Sequence, residues 1–319
     1  MLRSRVMREL NGKVAFITGG ASGIGKALAE EIASRGGEVV LADRQIDLAE
    51  EAARGIVARG GKASGLELDV RDLAAFERAA QTVVSRSGRI DLLFNNAGIA
   101  IGGEIDAYER DAWDDVFDVN VKGVAYGIHA VYPHMIAQRS GHIVNTASMA
   151  GLVSAPGTGS YSAAKHAVVG LTKVLRIEGA RHGVRASVLC PGAIRTPILT
   201  GGRFGRTGFR GVTRERVLAQ WEKVRPMDPA VFARRTLDDV LNNVAIIVHP
   251  GWWKALWYID RLSPSLGMKV WSVIHARTRK ELGQDDAEPV APGPSATPGL
   301  FSKDEVVAPE LERVAEDLR

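Results

Sequence analysis

A doubly wound α/β fold, built on a parallel sheet of about seven strands, is predicted for this 319-residue chain by two patterns. Short β-type apolar runs alternate with stretches of helical periodicity, and the first run breaks directly into a glycine-rich turn that opens a helix. Such alternation covers both faces of the sheet with helices and gathers ligands at the carboxyl ends of the strands.

Residues Val14-Ala15-Phe16-Ile17-Thr18 read as the first strand, followed by Gly19-Gly20-Ala21-Ser22-Gly23-Ile24-Gly25 and a helical stretch over 26–35. Glycines let backbone approach a pyrophosphate closely, and the helix behind them offers unpaired N–H groups and a positive dipole end. The second run, 38–43, closes on Asp43, where a carboxylate can accept hydrogen bonds from an adenosine ribose, although Asp43 taken alone reads first as an ordinary turn aspartate. A helix over 47–58, a strand over 63–68 and a helix over 73–85 come next. Asp69 and Val70 follow the third strand, and Asp69 also fits a cap for the helix that starts at Leu73.

The fourth run, 91–95, leads into Asn95-Asn96-Ala97-Gly98, and one long helix is predicted over 111–138 with Asn120 inside it. The fifth, 142–146, ends near Ser148. Tyr161 and Lys165 stand four apart on the next helix, one turn from each other on the same face. A phenol has a pKa of about 10, and a fixed positive charge beside it favours phenolate. A sixth run, 185–189, precedes Cys190, Pro191 and Gly192, and a seventh lies over 244–249. Gly19, Asp43, Asn95, Ser148 and Pro191 thus converge at one edge of the predicted sheet.

Composition is that of an ordinary globular protein, 45% hydrophobic and 24% charged. A net charge of +4 gives no support to nucleic-acid binding. Cys190 is the single cysteine, which rules out an intrachain disulfide and reads as a buried structural thiol. His129 and His134 are five apart, the wrong helical phase for joint coordination, so no metal is expected. Residues 1–10 lack the apolar stretch of a secretory signal and no run is long enough to span a bilayer, so the cytoplasm is the expected compartment.

Taken together, Thr18-Gly19-x-x-x-Gly23-x-Gly25, Asn95-Asn96-Ala97-Gly98, Asn120, Ser148, Tyr161-x-x-x-Lys165 and Pro191-Gly192 resemble the short-chain dehydrogenase/reductase superfamily in order and spacing over residues 10–200. The resemblance implies a Rossmann-like fold, a homo-oligomer (dimer or tetramer), and NAD- or NADP-dependent interconversion of an alcohol and a ketone or aldehyde. It implies that Tyr161 exchanges the proton while Lys165 holds the nicotinamide ribose and lowers the pKa of Tyr161. Ser148 then donates to the substrate oxygen, and Asn120 positions a water that links Lys165 to solvent. It assigns Thr18, Gly19, Ser22, Gly23, Ile24 and Gly25 to the pyrophosphate turn, and Asp69 and Val70 to the adenine. Asn96, with Ala97 and Gly98, supports the central strand and cofactor, while Ile194 and Thr196 follow Pro191 and Gly192 to the carboxamide and phosphates. Asp43 favours NAD because a carboxylate repels the extra phosphate of NADP, whereas Arg44 can pair with that phosphate. Two other functions stay open: a nonenzymatic nucleotide sensor, which usually lacks the tyrosine or lysine, and a dehydratase or epimerase, against which the Asn95-Asn96-Ala97-Gly98 segment argues.

Ile99, Ile101, Met149, Leu152 and Val153 are expected to make an apolar wall, suited to an apolar alcohol or ketone, beneath a lid drawn from 197–235. An acyl thioester and a steroid-like molecule stay open as substrates. The chain departs from the family at its carboxyl end, where Gly251-Trp252-Trp253-Lys254 replaces a Val-Asp-Gly-Gly-like close. The domain reading is a catalytic unit over 1–250, an aromatic and basic amphipathic extension over 251–282, and a disordered proline-rich acidic tail over 283–319. Within 252–280, six basic residues against the single acid Asp260 leave a charge of +5. This extension either packs on its own domain, covering the active site or a partner subunit, or lies peripherally on a membrane surface.

Overall fold

The computed structural model describes residues 10–108, 110–207 and 212–283, all within one compact unit, Met1–Ala287. The leader and, beyond Gly283, the expected disordered tail lie outside the described residues. The first half of the chain runs β1 (Val14–Thr18), α1 (Gly23–Ser34), β2 (Glu38–Asp43), α2 (Ile46–Ala58), β3 (Lys62–Glu67), α3 (Leu73–Ser87) and β4 (Leu92–Asn95). A two-residue β5 (Ile101–Gly102) precedes α4 (Arg110–Phe117), a π turn (Asp118–Lys122) and α5 (Gly123–Gln138). Then come β6 (Gly141–Thr146), α6 (Gly159–Gly179), β7 (Val184–Pro191), a second two-residue strand β8 (Arg206–Thr207), α7 (Arg214–Lys223), α8 (Pro229–Leu241) and β9 (Ile246–His249). Two further helices, α9 (Trp253–Leu262) and α10 (Pro264–Leu282), close the described chain.

Seven strands form one parallel sheet in the order β3-β2-β1-β4-β6-β7-β9. Strand side chains alternate between faces, so Phe16 and Ile17, both fully buried, serve opposite layers. Ile17, Leu41 and Phe94 pack with α1 and α8 through Leu28, Ile32, Phe232 and Leu237. Phe16, Val40 and Leu93 pack with α3 and α5 through Phe76, Val83, Val131 and Met135. Strand order reverses beside β1, between β1 and β4, and a parallel sheet opens a crevice at such a point.

Three features depart from the sequence reading. The long helix expected over 111–138 is interrupted by the π turn, which carries Asn120 into the interior, where its amide meets the backbone of Ile99 in both directions at 2.9 Å. The cap of α3 is Asp72, whose carboxylate accepts from the Ala75 N–H at 3.0 Å, and Asp69 takes no part in it. The β5–β8 pair ties the segment after β4 to the lid, in a register too short to leave any periodic trace.

The carboxyl-terminal extension folds into a hairpin of α9 and α10 joined at Ser263. Its inner face, Trp253, Leu256, Trp257 and Trp271, packs on a core cluster that includes Val124, Met149, Val168, Cys190 and Val248. No described helix is long and apolar enough to cross a membrane.

Candidate active site

A cavity of about 940 Å³ lies across the carboxyl ends of the strands. One end is the glycine turn. Gly19 has φ +66°, and a Cβ there would stand 2.9 Å from the Ala97 Cα, so only glycine allows the turn to pass so close to the segment after β4. Gly23 opens α1, the Ser22 side chain does not cap it, and its first turn carries no acid. Ser22, Gly23 and Ile24 line the cavity, leaving helix-start N–H groups free to receive an anion.

Thr18 and Gly25 lie behind this cradle and do not line the cavity. The Thr18 hydroxyl accepts from the Asn96 and Ala97 N–H groups at 3.0 and 3.1 Å, which docks the segment after β4 onto β1. At Gly25 a Cβ would meet the Gly19 carbonyl oxygen at 2.2 Å, so its bare backbone lets α1 sit on the turn. Both, expected at the cofactor, shape the residues that line the cavity. Asn96, which does line it, donates from Nδ2 to the Thr18 carbonyl at 3.1 Å.

Farther along, Asp43 is nine-tenths buried, and its carboxylate accepts from the Ala21 and Gln45 N–H groups at 3.2 and 3.0 Å. Arg44 stacks on Phe204, with Cζ 4.3 Å from the ring centroid, and Arg203 donates to Gln45 Oε1 at 2.6 Å, so the lid segment reaches the end of β2. Asp69 is held by Arg71 through paired hydrogen bonds, which keep its carboxyl below the usual range. Val70, Ala97, Gly98, Pro191, Gly192, Ile194 and Thr196 complete this lining.

At the other end stand Ser148, Tyr161 and Lys165, all facing the cavity. The Lys165 ammonium is buried, donates to the Thr146 carbonyl at 2.8 Å and lies 5.4 Å from the Tyr161 ring centroid. Ser148 Oγ accepts from the Ala150 N–H at 3.1 Å. Burial pushes the Tyr161 phenol up to about 12, opposed by its hydrogen bond with Ser148, and burial draws Lys165 down to about 8. At Tyr161 burial thus outweighs the Ser148 hydrogen bond, and the shift runs opposite to the one expected from Lys165. Asn120 is fully buried and does not line the cavity. With its amide oxygen and nitrogen both bonded to Ile99, its side chain fixes the cavity wall. A Cβ on Gly98 would stand 3.0 Å from Asn120 Oδ1 and 3.4 Å from Lys165 Nζ, so that glycine lets the two approach.

Ile99, Ile101, Met149 and Val153 line the apolar side, while Leu152 packs into the core beneath it. Trp221 from α7, Trp253 from α9, and Trp271 and Ile274 from α10 roof the cavity. None of these four was singled out for the site from sequence, although Trp221 lies within the lid expected over 197–235; for the other three the signal was the clustering of aromatic and basic residues beyond residue 251. Glu104, just past β5, ties the roof down: it accepts from His275 Nε2 at 2.8 Å and from Arg279 Nη1 at 2.7 and 2.6 Å. Desolvation alone would raise the Glu104 carboxyl, but Arg279 and His275 hold it below its ordinary value. Lys223 and Glu281 add a second tie of 2.6 Å between α7 and α10.

The cradle, the uncapped helix start and the buried Asp43 carboxylate fit a dinucleotide. Among the described residues no three His, Cys, Asp or Glu side chains are grouped to hold a metal ion. Residues 13–203 match the family described as short chain dehydrogenase. A cyclohexanol dehydrogenase of Acinetobacter is 41% identical over 194 residues, 60% of this chain and 76% of that protein. An uncharacterised oxidoreductase of Listeria monocytogenes is 41% identical over 192 residues, 60% of this chain and 77% of its own. The crystal structure of a short-chain dehydrogenase/reductase from Burkholderia phymatum in complex with NAD superposes with a TM-score of 0.71 at 32% identity, covering 89% of this chain and 99% of that one. Levodione reductase superposes with the same TM-score at 29% identity, over 77% of this chain and 99% of its own. With the matched segment taking in the cradle, Ser148, Tyr161 and Lys165, the chain belongs to the short-chain dehydrogenase/reductase family of oxidoreductases.

Proposed function

We propose that the protein interconverts a bulky apolar alcohol with its ketone or aldehyde, using NAD, and that Tyr161 is the proton donor and acceptor. The observation that carries this is the meeting of Ser148, Tyr161 and Lys165 in one apolar cavity that continues into the glycine cradle. When bound, the dinucleotide gives or takes the hydride. In reduction, the Tyr161 phenol gives its proton to the carbonyl oxygen as hydride reaches the carbon. Ser148 donates a hydrogen bond to the same oxygen and stabilises the charge that develops there. Lys165 is anchored by the Thr146 carbonyl, which leaves its other N–H groups for the ribose hydroxyls and for returning a proton to Tyr161. A lysine near pKa 8 beside a phenol near 12 passes a proton readily towards phenolate, so the resting state favours a protonated Tyr161.

Asp43 supports NAD over NADP, since its carboxylate stands at the end of β2 while the Arg44 guanidinium is occupied with Phe204. Substrate size is read from the roof: Trp221, Trp271 and Ile274 make an apolar chamber that an extended or ring-bearing molecule fills better than a short alcohol. Assembly as a dimer or tetramer is part of the same reading and rests on the family resemblance. Tyr161→Phe tests the mechanism. Turnover on a panel of cyclic and branched ketones should fall at least about a thousandfold, while NADH binding followed by fluorescence stays within about twofold. A Phe variant with undiminished turnover removes Tyr161 from the mechanism.

A further inference from the structure

The geometry points to the α9–α10 hairpin as a docking surface for an anionic lipid bilayer. Helix α9 turns Trp253, Leu256 and Trp257 inward, while Tyr258, Ile259 and Leu262 on its other side, and Trp252 just before it, are exposed, Leu262 by 86%. On α10 the cavity side is Trp271, Ile274 and Thr278, and the outer side shows Leu266 and Val273, each at least half exposed. Large apolar side chains grouped on one exposed structure call for a partner.

Charge selects which partner. Arg261, Lys269, Arg277 and Lys280 are exposed around these apolar groups. The one acid of the hairpin tip, Asp260, is folded inward against Gly267, where a Cβ would meet its Oδ1 at 2.5 Å. Glu281, farther down α10, is paired with Lys223. A second copy docking through the same face would set these cations against themselves across the two-fold axis, without acids to answer them. An anionic headgroup layer meets all of them at once, with Trp252 and Tyr258 at the depth where amphipathic rings settle. Neither helix is long and apolar enough to span, so the hairpin lies in the interface. The docking itself does not depend on the proposed reaction.

The test is co-sedimentation of the full chain with vesicles of phosphatidylglycerol and phosphatidylcholine, against phosphatidylcholine alone. Partitioning should be at least about tenfold higher on the anionic vesicles and should weaken with added salt. Paired Leu262→Asp and Leu266→Asp should reduce it about tenfold or more, as should Lys269→Glu with Lys280→Glu, while Ile177→Asp, at an exposed position of α6 away from the hairpin sequence, leaves it unchanged. The milder Leu262→Ser and Leu266→Ser pair, read the same way, covers the case in which the charges unfold the hairpin. No retention at low salt overturns the proposal, as does retention indifferent to every hairpin variant. So does a hairpin variant that turns an oligomer into a monomer when the parent shows no vesicle binding, which would assign the face to a second copy.

Discussion

Replacing Glu104 by glutamine asks whether the roof helix α10 is held by charge. The latch comprises Arg279 contacting both carboxylate oxygens at 2.7 and 2.6 Å and His275 at 2.8 Å. Sheltered hydrogen bonds to a charged group contribute about 1.5–3 kcal/mol each. Here Glu104 is 33% and Arg279 30% exposed, so solvent screening brings the whole latch to about 1–2 kcal/mol. Glutamine keeps the shape and one acceptor and removes the charge. At about 1.4 kcal/mol per factor of ten, the closed roof should lose roughly fivefold to thirtyfold of its advantage over open forms. KM for a ketone long enough to touch Trp271 and Ile274 should rise within that range with kcat changed less. A small ketone confined beside Tyr161 should be nearly unaffected. A double-mutant cycle with Arg279→Gln should return a coupling of at least about 0.5 kcal/mol in the bulky-substrate KM. Equal shifts for both ketones, or a coupling indistinguishable from zero, would falsify the latch.

Three further outcomes follow from the same geometry. Lys165 keeps its charge below about pH 8 and loses it above, so kcat/KM for ketone reduction should hold level from about pH 6 to 7 and then fall, whereas Tyr161 near 12 stays protonated throughout; Lys165→Met should abolish that limb of the profile. His142 is buried against Ser187, and burial, helped by the charges of Arg185 and Arg176, pushes it down to about 3 from an unfolded value near 6.5. Its folded pKa lies below the unfolded one, so stability is intact above about pH 6.5 and is lost as pH falls towards 3. Urea unfolding at about pH 7 and 5 should therefore differ by about 2 kcal/mol from this group, a difference that His142→Gln largely removes. Asp43→Ala should narrow the NAD-to-NADP ratio of kcat/KM by about tenfold, and an unchanged ratio would strip Asp43 of cofactor discrimination.

The sheet was legible because a parallel strand is buried on both faces and therefore writes a continuous apolar run. Val14–Thr18 and Glu38–Asp43 end where the runs end. The edge strand β9 begins at Ile246, two residues inside its apolar run, since Val244 serves as a loop acceptor for Ser187. Within the site, the glycine turn and the Tyr161–Lys165 pair announce themselves by spacing along one turn or one helix. What stayed hidden depends on contacts between distant parts of the chain. The π turn is set by Asn120 finding Ile99, and the latch joins Glu104 to residues 171 and 175 positions later. The choice between Asp69 and Asp72 as helix cap turns on backbone angles that residue type alone does not specify, as both are aspartates before the same helix. Burial likewise decided the direction of the Tyr161 shift, and spacing carries no measure of depth.

The order in which the cavity is assembled along the chain has an evolutionary consequence. Its cradle and its Ser148–Tyr161–Lys165 end are in place by Thr196, whereas three of the four roofing side chains, Trp253, Trp271 and Ile274, belong to the terminal hairpin. The family model matches residues 13–203, which take in the cradle and the Ser148–Tyr161–Lys165 end but not the hairpin. Substitutions in the terminal hairpin therefore re-target the cavity to new molecules while the redox chemistry, carried by Ser148, Tyr161 and Lys165, is inherited unaltered.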